Sequence, residues 1–351
     1  MMNVGISLYL GTGYDKNKEI IEKAKRAKVS YAFTSLHLPE EKVEDYKNEV
    51  NSLLRLCSDG GIKLIVDIGP RTIEKLGLNC IQELKTTPIT HIRPDYGFSM
   101  KEISELSKDF YIVFNASTLS SEELQELKSL GTDFSKLLAG HNFYPKPLTG
   151  LSLERVREIN LKLRYQGIKT QGFIAGDLIK RGPLFDGLPT VEEHRYEDGL
   201  LSILQLRSVG ACDIVLVGDV DITPELWDKI GRLNEGYVEL PAKISEEYSF
   251  VKDMIHHDRP DSSSFIIRSQ ESRGYASEGK PFKKEGAAKR DKGTITIGNE
   301  EYLRYSGELE IARIDLNPEE KVNVIGKVEE GYLKYLDYID EGLGFKFVDG
   351  V

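Results

Sequence analysis

FIAGDLIKRGPLFDGLPTVEEHR (Phe173–Arg195) decides how the chain is read. An apolar β-like run, Lys169–Ala175, enters it, and an amphipathic helical pattern, Tyr196–Val209, leaves it. A connection longer than about 12 residues with no structure of its own is as a rule functional or disordered. This one holds Pro183, Phe185, Leu188, Pro189 and the charged set Asp177, Lys180, Arg181, Asp186, Glu192, Glu193, His194 and Arg195. A strand, a long charged loop and a helix in that order make one βα unit with a site at its strand end.

The same alternation extends outward from Asn3 to about Asn234. Apolar runs predict strands at Val4–Leu10, Tyr31–Leu38, Lys63–Ile68, His91–Tyr96, Tyr111–Ala116, Lys136–Phe143, Lys169–Ala175 and Asp213–Val217. Helical patterns between them mark βαβ units and a parallel sheet. Asp15 is placed to cap the first helix, Ser120 and Glu123 spell a capping box, and Gly131 and Gly167 fall where helices should stop. Eight such units in about 235 residues predict a (β/α)8 TIM barrel. A doubly wound open sheet is the competing arrangement, but LGTGYD at the end of the first strand lacks the third glycine of a GxGxxG turn. After Gly236 helical patterns fade, and short runs at Ser264–Arg268, Gly293–Ile297, Glu308–Ile314, Val322–Val328 and Gly344–Val348 predict a small all-β domain. The expected division is a barrel over 1–240 and a β domain over 241–351, with the boundary near Leu240–Ser249.

Composition limits the function classes. With 351 residues, 40% of them hydrophobic and 30% charged, the chain can bury a sizeable core. A formal net charge of -10 argues against nucleic acid or an anionic membrane as partner, so an anionic ligand needs a local cationic pocket. No stretch approaches the roughly 20 apolar residues of a membrane span. The start, MMNVGISLYLGTGYDKNKEII, has neither a basic n-region nor a small-residue cleavage pattern, so a cytoplasmic location is expected. Cys57, Cys80 and Cys212 are odd in number and widely spaced, as for reduced core thiols. HxH and HExxH patterns are missing, and His256 and His257 have no acidic cluster at ligand spacing, so neither metal nor cofactor is expected. The basic run Lys280–Lys292 is read as a solvated loop. A homo-oligomer is compatible with all of this.

Barrel enzymes react at the carboxyl ends of their strands. The polar residues there are Tyr9, Tyr14, His37, Asp67, Arg93, Asp95, Asn115, Ser117, His141, Asn142, Tyr144, Gln171, Asp177, Asp219 and Asp221. Carboxylates, amides, tyrosines and histidines without a thiol or serine-elbow motif suit a carbohydrate, which needs many hydrogen-bond partners around one or two acids. Arg93 and Asp95, two apart, project to the same face, where the arginine could hold an anion or form an ion pair inside the barrel. Asp67 and Asp177 could be catalytic or could cap turns. His141 and Asn142 precede the rigid run FYPKP and could form a wall for a sugar ring; a packed core histidine is the alternative. Glu192, His194 and Arg195 stand before the expected helix, a natural anion site, with a capping carboxylate as the plainer reading.

Five segments then carry a resemblance. HNFYPKPLTGLS (His141–Ser152), FIAGD with RGPLFDGLPTVEEHR (Phe173–Arg195), VGDVDI (Val217–Ile222), HHDRPD (His256–Asp261) and IIRSQESR (Ile266–Arg273) together resemble the bacterial 6-phospho-N-acetylmuramidases, glycoside hydrolase family 170, once described as outer-surface proteins of unknown function. The likeness covers both expected domains. It implies a TIM barrel followed by a cyclophilin-like β domain. It also implies cytoplasmic hydrolysis of N-acetylmuramic acid 6-phosphate linked β-1,4 to N-acetylglucosamine, a peptidoglycan-recycling disaccharide delivered by a phosphotransferase uptake system.

For that substrate we expect two carboxylates to flank the glycosidic bond, one as acid and one ionised. Asp95 and Asp177, well separated round the barrel, are the first choice, with Glu192 and Asp67 in reserve; the substrate's own acetamido group could replace a protein nucleophile. Arg93, Asn115, His141, Asn142, Tyr144, Gln171, His194 and Arg195 are expected to bind substrate. The β domain could bring Arg268 or Arg273 to the phosphate, or serve as a stabilising or dimerising module. The rival readings are a lyase or aldolase with Lys180 as Schiff base, and a phosphosugar-binding regulator or peptide binder.

Overall fold

The computed structural model of the chain describes residues 3–36, 46–94, 97–274, 282–340 and 342–350. It divides into two compact units at Asn234/Glu235. In the first, eight parallel strands close in chain order into a barrel: β1 (Asn3–Ser7), β2 (Tyr31–Ser35), β3 (Lys63–Ile68), β4 (His91–Pro94), β5 (Tyr111–Asn115), β6 (Leu137–Gly140), β7 (Lys169–Ile174) and β8 (Ile214–Val217). Helices follow them on the outside: α1 (Tyr14–Arg26), α2 (Tyr46–Asp59), α3 (Pro70–Lys75), α4 (Met100–Ser107), α5 (Ser121–Ser129), α6 (Leu153–Tyr165), α7 (Gly199–Ser208) and α8 (Pro224–Glu235). Closure rules out the open doubly wound sheet.

The lumen is filled by Phe33, Ile65, Val113, Leu138, Phe173, Ile214 and Leu216, all buried. Alternation along each strand therefore turns Ser7, Ser35, Asp67, Arg93, Asn115 and Gln171 to the same inner side, and register agrees: Asp67 pairs with Arg93, and Gly140 with Gln171. The strands expected from sequence all form, but several stop short of their predicted carboxyl ends. Tyr9 and Leu10, for example, leave the ladder and are buried by packing.

Local signals are kept in most places. Ser120 and Glu123 form the reciprocal capping box of α5, and Gly131 and Gly167 end α5 and α6 at φ 72° and 81°. Two expectations need correction. α1 is entered through Gly13 at φ 88°, and Asp15 lies inside its first turn rather than capping it. α7 starts at Gly199 with Asp198 as cap, and Glu192–Arg195 is a separate 3₁₀ turn, so Arg195 does not stand at a helix start.

The second unit is a seven-stranded sheet of β9 (Tyr237–Ile244), β10 (His256–His257), β11 (Ile266–Arg268), β12 (Thr294–Gly298), β13 (Leu309–Ala312), β14 (Val322–Val328) and β15 (Gly344–Asp349). Its order is β10-β15-β9-β14-β12-β13-β11, antiparallel except where β15 runs parallel to β9. The boundary expected at Leu240 falls within β9, and β9 and β10 were not anticipated. Cys57 and Cys212 are buried, whereas Cys80 is exposed and so is no core thiol.

Candidate active site

The inner polar residues meet at the carboxyl end of β3, β4 and β6. Arg93 is 9% exposed and reaches two strands at once. Its Nη1 lies 3.5 Å from Asp67 Oδ2, and its Nη2 donates to Asn142 Oδ1 at 2.5 Å. Ser35 Oγ donates to the same Asp67 oxygen at 3.3 Å. Register makes this cluster, since paired residues on neighbouring parallel strands share a face. Asp95 lies outside the described residues, as does His37.

Below this cluster the Gln171 amide lies against Gly140, where an added Cβ would stand 2.4 Å from Gln171 Nε2. Gln171 Oε1 and Ser7 Oγ are buried and have no hydrogen-bond partner among the described residues. An unpaired buried polar atom costs about 1–3 kcal/mol, so a ligand or a water on this lumen face would find hydrogen-bonding capacity there. Ser7 escaped sequence reasoning, which began its survey of β1 beyond the strand; the alternation Gly5, Ser7 against Ile6, Leu8 was the signal. Asn115 is half-buried and accepts from the Ser117 amide at 3.0 Å. Phe143 packs edge-on against Phe33 and Phe173 and forms an aromatic floor next to Asn142.

The long β7 loop is tied down by buried charges. Asp219, 1% exposed, accepts from the backbone amides of Gly176, Arg181 and Leu188 at 2.8, 2.9 and 3.0 Å. Burial pushes its carboxyl above the usual range. Arg195, 2% exposed, donates Nε and Nη2 to Glu192 at 2.7 Å each and reaches the carbonyls of Gly187 and Tyr144 at 2.9 Å. Glu192 also accepts from the amides of Leu148 and Gly150, at 2.8 and 2.7 Å. Arg195, then those two amides, hold its carboxyl down at about 2. The Glu192–Arg195 pair thus sews the β6 and β7 loops together.

The other expected residues are placed as follows. Asp177 is exposed, and its two oxygens accept from Thr223 N and Thr223 Oγ1 at 2.8 Å each. His141 is 0% exposed, with Nε2 2.9 Å from Asn160 Oδ1 on α6, and burial lowers its pKa. His194 is likewise buried, 2.8 Å from Gln205 on α7, with its pKa lowered by burial. Both histidines therefore face helices outside the strand ring. Tyr144 is half-buried and joined through its amide to Pro189 O. Lys180 is half-buried, its Nζ 5.2 Å above the Tyr196 ring, and Arg181 lies 4.4 Å over the Tyr9 ring. Arg268 is paired with Asp261 at 3.1 Å inside the β unit, and Arg273 is exposed there. No group of three or more His, Cys, Asp or Glu among the described residues could hold a metal, and no described helix is long and apolar enough to cross a membrane.

A closed barrel whose mouth gathers carboxylate, guanidinium and amide groups has the build of a barrel enzyme that takes a polar ligand. Residues 4–232 match the family model of the 6-phospho-N-acetylmuramidase N-terminal domain, and residues 237–348 that of its C-terminal domain. The chain belongs to the 6-phospho-N-acetylmuramidase family and is a glycosidase. Among solved structures it is similar to a conserved protein of unknown function from Enterococcus faecalis, at 31% identity over 99% of this chain and 96% of that one, with a TM-score of 0.73. An uncharacterized B. cereus protein is similar at 25% identity over 99% of both chains, with a TM-score of 0.74. No curated protein matches.

Proposed function

We propose that the protein hydrolyses the β-1,4 bond between N-acetylmuramic acid 6-phosphate and N-acetylglucosamine, as a cytoplasmic step of peptidoglycan recycling. The observation that carries this reading is the Asp67–Arg93–Asn142 cluster, in which Asp67 and Arg93 are buried, at the mouth of a barrel that belongs to this family. A sugar phosphate is charged and does not cross a membrane unaided, which favours the cytoplasm.

Within this reading Asp67 is the charged carboxylate, since a guanidinium 3.5 Å away favours its ionised form. Asp95, two residues beyond Arg93, supplies the proton that expels N-acetylglucosamine, and Asp67 steadies either the anomeric carbon or the acetamido group that attacks it. Water then completes the hydrolysis. Glu192 is unsuited to the acid's role, because a carboxyl held at about 2 carries no proton near neutrality. Asp177 and Glu192 are assigned to holding loops, and His141 and His194 to packing strands against helices. With Arg195 engaged on all its nitrogens, Arg93 and Lys180 are the cations assigned to the lactyl carboxylate and the phosphate.

The test is turnover of the phosphorylated disaccharide, followed by mass spectrometry. Asp67→Asn and Asp95→Asn should each lower kcat by 100-fold or more, on the order seen for general acid–base groups. Equal cleavage of the unphosphorylated disaccharide, or wild-type rates in either variant, would overturn the reading.

A further inference from the structure

The apex of the β7 loop holds a large apolar side chain where folding alone does not want one. Phe185 is 64% exposed and adopts φ 57°, a left-handed conformation that costs an ordinary residue about 1–2 kcal/mol. Glycine or asparagine is the usual occupant of such a position. Nothing around it is loose. Ile179 bridges to Asp221, Arg181 and Leu188 are bonded to Asp219, and Arg195 holds the carbonyls of Asp186 and Gly187. The apex Gly182–Phe185 is thus presented by a clamped frame.

That frame is continuous with the barrel mouth. Arg181 stacks on Tyr9, which is 2% exposed at the end of β1 and donates its hydroxyl to Gly218 O just beyond β8. The Phe185 ring in turn lies against Gly182, 3.0 Å from where a Cβ would stand, so any side chain at Gly182 would displace the ring. An exposed aromatic ring at the apex of a clamped loop that leaves the carboxyl end of a barrel strand matches the apolar C–H face of a pyranose, which binds by burying area against a π face.

Resting on the function proposed above, we propose that Phe185 is the platform for the leaving sugar, stacking under its N-acetylglucosamine ring and setting selectivity for a disaccharide over smaller glycosides. The phosphorylated sugar is held deeper, by the lumen cluster. Ring contact at the leaving sugar strengthens binding without touching the reacting carbon. Its loss therefore falls on kcat/KM for substrates that carry that ring and leaves others alone.

The experiment compares the disaccharide with the β-glycosyl fluoride of N-acetylmuramic acid 6-phosphate, whose leaving group has no ring. Phe185→Ala should lower kcat/KM about tenfold on the disaccharide and leave the fluoride unchanged, while Phe185→Trp keeps the disaccharide rate within about twofold. Thermal unfolding of Phe185→Ala should match the wild type, because the side chain is exposed. Equal losses on both substrates, or none on either, would overturn the platform. A wild-type protein that cleaves neither substrate would instead refute the glycosidase substrate assignment and take the platform with it.

Discussion

Two arginine–carboxylate pairs stand at the carboxyl end of the barrel, and they are built differently. Arg195 and Glu192 meet through two contacts of 2.7 Å, and every remaining donor and acceptor is engaged by backbone from the β6 and β7 loops. Arg93 and Asp67 touch at 3.5 Å, and beside them Ser7 Oγ and Gln171 Oε1 are buried without a partner among the described residues. The first pair is closed off by backbone groups; on the lumen face that holds the second, Ser7 Oγ and Gln171 Oε1 keep directional capacity. On the function proposed above, the closed pair is a joint between loops, and the lumen face is where a ligand would finish the network.

The most damaging way to probe this contrast is Arg195→Ala. It strands a carboxylate among backbone groups, and breaking a buried pair from one side costs about 3–5 kcal/mol. For a domain of this size that is roughly a 10 °C fall in Tm by calorimetry. The sign of the acid dependence follows from the lowered pKa of Glu192. Its contribution is present above the unfolded value of 4.5 and is lost as pH falls from there towards 2, so the wild type should lose more stability through that window than Arg195→Ala, in which only the Leu148 and Gly150 amides still favour the charged form. A variant that melts like the wild type would dissolve the distinction between joint and site.

Asp67→Asn tests the other side. It keeps shape and removes the charge facing Arg93, so kcat on the phosphorylated disaccharide should fall 100-fold or more, a loss of about 3 kcal/mol in transition-state stabilisation. Tm should move by only a few degrees, because the amide keeps an oxygen to which Ser35 and Arg93 can donate. A large Tm loss with modest kinetic change would make this pair scaffold as well.

How much of this contrast could be seen in sequence follows from the range of the interactions. Asp67, Arg93 and Gln171 were legible because each lies on a strand whose alternation fixes its face, and Asn142 because it follows the apolar run of β6. Strand and helix positions were legible for the same reason, and the Ser120–Glu123 box because it spans three residues. Arg195 was misplaced because its partners are carbonyls at Tyr144, Gly187 and their neighbours, and backbone acceptors leave no mark in sequence. β9 was missed because YVELPAKI follows α8 directly and carries Pro241, which usually argues against an interior strand; here it pairs with Val348 between β14 and β15.

A third carboxylate sharpens the comparison from the β unit. Glu310 on β13 stands across from Arg268, yet burial and then Glu308 push its carboxyl up to about 7. Arginines nearby do not decide the outcome; donors in contact do, and among the described residues Glu310 shows none of the kind that Glu192 has. With the folded pKa raised, the folded state binds the extra proton, so stability falls as pH rises from 4.5 to about 7. Glu310→Gln should therefore leave unfolding unchanged at pH 4 and stabilise the β unit at pH 8 by on the order of 2 kcal/mol, after discounting for solvent screening. A pH-independent difference would refute this.

The smallest effect is expected at Asp177, which shares the mouth with both pairs but resembles the complete one. Its two oxygens receive the amide and the hydroxyl of Thr223, one residue before α8, and so pin the β7 loop to the start of that helix. Each carboxylate oxygen is thus committed to a Thr223 donor and to the loop–helix joint. Asp177→Ala removes a cap, a change worth about 1 kcal/mol, and should lower Tm by roughly 2–4 °C. Turnover of the phosphorylated disaccharide should stay within about threefold of wild type. A 100-fold loss of kcat with an unchanged Tm would reverse the assignment, because a cap lost without thermal cost cannot be what the residue is for.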